Sequence, residues 1–190
     1  MKTCVFGGAF DPLHLGHENI IKTLLLKFDK VILMPSKQSP GKDLPKASSN
    51  QRMKMLSLLC LSIQNSNLII DDYELESNQE PSFTIDSIKY IKNKLNESDE
   101  LYLALGYDQF NNLSNWHNIE LLLKLARIIC FNRNELNKDD LSIDCEIVSN
   151  FNYDISSSKI RNLIQEDYSK VKDMVNEEIF NYIVKEKIYQ

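Results

Sequence analysis

The chain has 190 residues, 43% of them hydrophobic, which is enough to bury the core of one domain and too apolar for a disordered segment. Its formal charge of −5 excludes a general affinity for nucleic acid, which requires a basic face. Apolar runs such as Leu24 to Leu26 fall far short of the roughly 20 residues of a membrane span, no export-like run precedes Gly7, and Cys4, Cys60, Cys130 and Cys145 form no CxxC pair, so no membrane partner and a cytoplasmic setting are expected.

Lys2 to Gly7 reads as a short strand ended by Gly7-Gly8. From His17, apolar residues Ile20, Ile21, Leu24 and Leu25 recur at helical spacing, predicting a helix to about Lys27, and Val31 to Met34 forms a strand stopped by Pro35. Such a strand, loop, helix, strand unit pairs its strands in parallel. Ser48, Ser49 or Asn50 caps a helix bearing Met53, Leu56, Leu59, Cys60 and Ile63 on one face, and Leu68 to Ile70 follows as a strand. A third helix carries Ile85, Ile88, Ile91 and Leu95. After the polar turn Asn96 to Glu100 come strand Leu101 to Leu105, a break at Gly106, helix Ile119 to Leu125, strand Ile128 to Phe131, polar loop Asn132 to Asp140 and strand Glu146 to Val148. Residues 156–167 and 171–187 read as two closing helices, and the loop Ser36 to Lys46 is the one candidate for disorder. This alternation predicts an α/β fold, a doubly wound Rossmann-like parallel sheet with helices on both faces, in a single domain 1–190 whose part 151–190 is helical.

In such sheets ligands bind beyond the carboxyl ends of the strands, which selects the loops after Gly7, Pro35, Gly106 and Val148. The first of these loops is GGAFDPLHLGH, residues 7–17. Its glycines allow a tight turn and close backbone approach, and the following helix aims free N–H groups at the same place, as a phosphate site requires. It is neither the GxGxxG fingerprint nor a P-loop. His14 and His17 can each donate to a phosphoryl oxygen where charge builds during transfer. A zinc reading needs further ligands, and the remaining histidine, His117, is remote, so no metal site is expected. Ile155 to Arg161, ISSSKIR, reads as a serine-rich helix start whose N–H groups and hydroxyls can hold phosphate beside the Arg161 fork. Asp11, before Pro12, reads as a turn residue.

GGAFDPLHLGH resembles the GGxFxPxHxGH form of the HxGH motif of the nucleotidyltransferase superfamily, and ISSSKIR is similar to its ISSTxIR element. Over nearly the full length the chain resembles the nicotinate-mononucleotide adenylyltransferases. Gln51-Arg52, Met55-Leu56, Asp72 to Leu75, Pro81 to Asp86, Leu105 to Asp108, Asn115 to His117, Tyr182-Ile183 and Ile188-Tyr189 carry the likeness. It departs at Ala9, where Thr or Ser is usual, at Phe83 and His117, where Tyr is common, and at Gly41-Lys42, where a His-Lys or His-Arg pair is common.

The resemblance implies adenylyl transfer from ATP to nicotinate mononucleotide, with Mg²⁺ carried by the ATP phosphates. It implies His14, His17, Lys42 and Arg161 as catalytic groups. Gly7, Gly8, Phe10, Gly106, Asp108, Ile155, Ser157 and Ser158 would bind ATP, and Ala9, Thr84, Trp116, His117 and Arg133 the mononucleotide. Read from its residues alone, Asp108 is divided between a ribose ligand and the cap of a short helix through Phe110. The competing activities are transfer to nicotinamide mononucleotide or phosphopantetheine, and a regulatory nucleotide-binding module, which would be favoured by loss of a motif histidine or Arg161. Assembly into a homo-oligomer is left open.

Overall fold

The computed structural model describes residues 1–77, 80–132, 143–149, 151 and 155–190. Its elements are β1 (Lys2–Gly8), α1 (Leu15–Leu25), β2 (Lys30–Pro35), α2 (Ser49–Ile63), β3 (Leu68–Ile70), α3 (Tyr73–Glu76), α4 (Thr84–Lys92) and β4 (Glu100–Gly106). Then follow α5 (Tyr107–Asn111), α6 (Ile119–Leu125), β5 (Arg127–Phe131), β6 (Cys145–Val148), α7 (Ser157–Glu166) and α8 (Glu177–Lys185). Among the described residues, the strands make a six-stranded sheet in the order β3-β2-β1-β4-β5-β6, every neighbouring pair parallel. This is the doubly wound order, with its switch point between β1 and β4.

Alternation along the strands splits the core between the two faces. Cys4, Phe6, Val31, Leu33, Tyr102 and Ala104 face one cluster, into which α1, α2, α7 and α8 send Ile21, Leu24, Leu56, Leu59, Ile160, Ile164 and Ile183. Val5, Ile32, Met34, Leu101, Leu103 and Leu105 face the other, filled by Ile85, Ile88 and Ile91 of α4 and Leu122 of α6. The helical segment that closes the chain thus joins the core of the first face. Phe6 pairs with Ala104, so the ends of β1 and β4, Gly8 and Gly106, lie side by side and open the crevice.

Two expectations are corrected. Helix α1 begins at Leu15 rather than His17, because His14 is its N-cap. The loop Ser36 to Lys46 is ordered by its ends: Ser36 N–H donates to Gly8 O (2.9 Å), and the Lys46 and Ala47 N–H groups donate to the Asp11 carboxylate (2.7 and 2.9 Å). Among the described residues no helix is long and apolar enough to cross a membrane.

Candidate active site

The first loop of the crevice turns in an unexpected place. Gly7 and Gly8 complete β1, and the left-handed backbone falls on Phe10, at φ +49°. A Cβ at Gly8 would touch the Phe10 ring at 3.4 Å. Phe10 is 1% exposed and packs edge-on between Phe6 (5.6 Å) and His17 (5.3 Å), so it supports the site from beneath. Burial of so large a ring offsets the roughly 1–2 kcal/mol that a left-handed non-glycine residue costs.

His14 and His17 form a reciprocal cap on α1. The His17 N–H donates to His14 Nδ1 (3.4 Å) and the His14 N–H to His17 Nδ1 (3.3 Å), with the two rings stacked at 3.7 Å. This is the geometry of a capping box with imidazoles in place of Ser and Glu. The three-residue spacing follows from it, because N-cap and N3 are the positions whose side chains can exchange such bonds. An Nδ1 that accepts leaves the proton of a neutral ring on Nε2. Burial, and then the neighbouring His14, hold the His17 imidazole well below the usual histidine range. The resting His17 is therefore a neutral Nε2–H donor, rather than a fixed cation, at the positive end of the helix.

Helix α7 meets this turn from the far end of the chain. Ser156 is its N-cap, accepting from the Lys159 N–H (3.2 Å). Ser157 Oγ donates to Pro12 O (2.9 Å), and Arg161 donates to Asp11 O (2.6 Å) and Ser158 Oγ (3.3 Å). Hence the Ser157 hydroxyl clamps α7 to the turn, while Ser157, Ser158 and Arg161 line the crevice. Asp11 is more than a turn residue. Only 4% exposed, it accepts from two loop N–H groups and from Tyr189 Oη (2.8 Å). Sequence reading also gave no role to Arg52. This arginine, 1% exposed, donates to Ala9 O (2.8 Å) and Ser36 O (2.7 Å), tying the first two crevice loops together from below. Nothing in a lone arginine on an amphipathic helix marks it for such burial.

Phe10, Asp11, His14, His17, Ser157 and Arg161 line one cavity of about 1040 Å³, together with Gly7, Gly8, Ala9, Lys42, Gly106, Asp108, Ile155 and Ser158. Its volume lies at the upper end of ordinary ligand pockets. Lys42 is exposed on its loop, beside Gly41 at φ +70°. Gly106 caps α5, with open space where a Cβ would stand, and Asp108 is exposed in the first turn of α5 rather than capping it.

Comparison with known proteins places this arrangement. The family model described as cytidylyltransferase-like matches residues 5–163. A chain of Endomicrobium trichonymphae named "Probable nicotinate-nucleotide adenylyltransferase" is 31% identical, over 100% of this chain and 99% of its own. One of the same name from Hydrogenobaculum is 35% identical, over 100% and 98%. This chain belongs to the nicotinate-nucleotide adenylyltransferase family. The fold agrees: the structure titled Plasmodium falciparum nicotinic acid mononucleotide adenylyltransferase complexed with NaAD superposes with a TM-score of 0.80 at 22% identity, over 99% of this chain and 97% of that one.

Of the residues expected to bind the acceptor, Ala9 lines the cavity, whereas Thr84, Trp116 and His117 are not among its lining residues. Thr84 opens α4, and Phe83, just before it, rests on the His117 ring at 4.5 Å. Trp116 is half-buried and packs against the second core cluster, while His117 is exposed. They group together because α4 and the turn before α6 cover the face of the sheet opposite α1 and α7. Arg133 lies outside the described residues.

Proposed function

We propose that the adenylyl transfer assigned by family membership, from ATP to nicotinate mononucleotide, runs on the capped histidine pair and the facing start of α7. The 5′-phosphate of the mononucleotide attacks the α-phosphorus of ATP in line, forming a P–O bond as the bond to pyrophosphate breaks. The nucleophile is already an anion, so the step needs neither a base nor a covalent intermediate. Alignment and charge stabilisation remain for the protein to supply. His14 and His17 donate Nε2–H to the phosphates, with His17 stabilising the transition state. Lys42, on its pinned loop, neutralises the triphosphate, and the α7 N–H groups, Ser158 and Arg161 hold its outer phosphates. Gly106 and Asp108 receive the adenosine. Thr84, Trp116, His117 and Arg133 select the acceptor, with Ala9 beside it.

ATP enters as its Mg²⁺ complex, the ion held chiefly by phosphate oxygens as is usual for Mg²⁺. Asp11 gives its carboxylate to Tyr189 and two main-chain N–H groups instead. A reducing, cytoplasmic setting suits the free cysteines, of which Cys4, Cys130 and Cys145 are buried.

The observation that carries these roles is the reciprocal His14–His17 cap, opposite Arg161, at the switch point of the sheet. Pyrophosphate release from MgATP with each of nicotinate mononucleotide, nicotinamide mononucleotide and phosphopantetheine tests the acceptor, the first being expected to turn over fastest. His17→Ala should lower kcat by about two to three orders of magnitude with little change in substrate binding, as loss of a transition-state donor does. A near-normal kcat would overturn its role.

A further inference from the structure

Three stretches of chain far apart in sequence converge on the buried Asp11 carboxylate beneath the crevice. Asp11 Oδ1 accepts from the Ala47 N–H (2.9 Å) and Tyr189 Oη (2.8 Å), Oδ2 accepts from the Lys46 N–H (2.7 Å), and Arg161 sits 3.7 Å from Oδ2 while donating to the Asp11 carbonyl at 2.6 Å. Tyr189 does not line the cavity. Its backbone is nonetheless held in the left-handed region at φ +74°, and the preceding Ile188 is 4% exposed, its N–H bonded to Ile183 O (3.0 Å). The chain is thus fixed, in a conformation that a tyrosine seldom adopts, so that one hydroxyl reaches Asp11. Burial beside that carboxylate raises the phenol, which keeps it protonated as a donor.

We propose that Tyr189 is a positioning residue for adenylyl transfer: through its hydrogen bond to Asp11 it sets the orientation of Arg161 over the ATP phosphates. The chemistry is that of a shared acceptor. Arg161 is a rigid fork whose direction is set by its neighbours: it donates to the Asp11 carbonyl and to Ser158 Oγ, and its ion-pair partner at 3.7 Å is the Asp11 carboxylate. Without the phenolic donor the Asp11 carboxylate keeps only the main-chain N–H bonds from Lys46 and Ala47, and the ion-pair partner of the fork is held less firmly. Errors of position of this kind cost rate out of proportion to their size. The inference rests on the phosphate-binding role proposed above for Arg161.

Its test is a double-mutant cycle, with pyrophosphate release read at varied ATP and varied nicotinate mononucleotide. Tyr189→Phe, which keeps the ring, should lower kcat/KM for ATP by about tenfold and leave KM for the mononucleotide unchanged. In an Arg161→Ala background the same substitution should cost less than threefold. Asp11→Asn serves as the second variant should Tyr189→Phe fail to fold, with the same shrinkage expected. Full activity of Tyr189→Phe, or an equal loss in both backgrounds, would overturn the proposal and leave Tyr189 a latch of the fold. If Arg161→Ala alone keeps full activity, the reading of the phosphate site fails instead, and the two failures are thereby distinguished.

Discussion

His17 shows how one local geometry sets both chemistry and pH response. Because its Nδ1 accepts a main-chain N–H and burial disfavours its cation, the folded protein holds the ring neutral at pH values where an unfolded chain, with an ordinary histidine value of 6.5, takes up a proton. Below 6.5 the unfolded state therefore binds more protons, and stability falls as pH drops from 6.5 toward the depressed folded value; above 6.5 this residue contributes no slope. Thermal unfolding of wild type and His17→Gln between pH 8 and pH 5 should show the wild type losing more stability on the acid side of 6.5. Parallel curves would refute a neutral buried imidazole. A polyphosphate placed at Nε2 would favour the cation again, so ATP binding below pH 6.5 should be accompanied by proton uptake.

At the scale of elements, α2 presents Arg52 to the site, and its start is fixed by a capping box. The Ser48 side chain accepts from the Gln51 N–H (3.3 Å), and Gln51 returns a bond to the Ser48 N–H (2.8 Å). Ser48→Ala should cost about 1 kcal/mol, lowering the melting temperature by roughly 2–4 °C for a chain of this size. A calorimetric shift below half a degree would contradict the cap. This helix was readable in the sequence, with its cap narrowed to Ser48, Ser49 or Asn50 because such residues are familiar helix starts; so were the strands, whose apolar runs are bounded by glycine, proline or polar turns. Helix α1 was misplaced by two residues because histidine is not a usual cap, and only coordinates reveal that two imidazoles take the parts of Ser and Glu. Asp11 was read as a turn residue because its partners Lys46, Ala47 and Tyr189 lie 35, 36 and 178 residues away. No spacing rule reaches that far. That the two short motifs would meet in one crevice was legible, since each packs its groups into a few residues, whereas the residues proposed for the acceptor are scattered over Thr84, Trp116 and Arg133 and no short motif gathers them.

Across the whole molecule, His14, His17 and Arg161, proposed for the ATP phosphates, stand at the start of α1 and on α7, while Thr84 and Trp116, proposed for the acceptor, lie with α4 and the turn before α6 on the opposite face of the sheet. Trp116, the sole tryptophan, is half-buried on the acceptor side and can report this division. Its fluorescence should change on saturation with nicotinate mononucleotide and stay nearly constant with MgATP alone. An unchanged emission with the mononucleotide would remove Trp116 from the acceptor site. The sheet order has a further consequence in time. Strand β1 is flanked by β2, which follows it closely, and by β4, whose Glu100 pairs with Lys2. At roughly 5–20 residues per second of synthesis, one edge of β1 waits about 5–20 s for its second neighbour. During that interval the open edge is a template for pairing with other chains. A ribosome stalled near residue 100 thus displays the middle strand of the fold as an exposed edge.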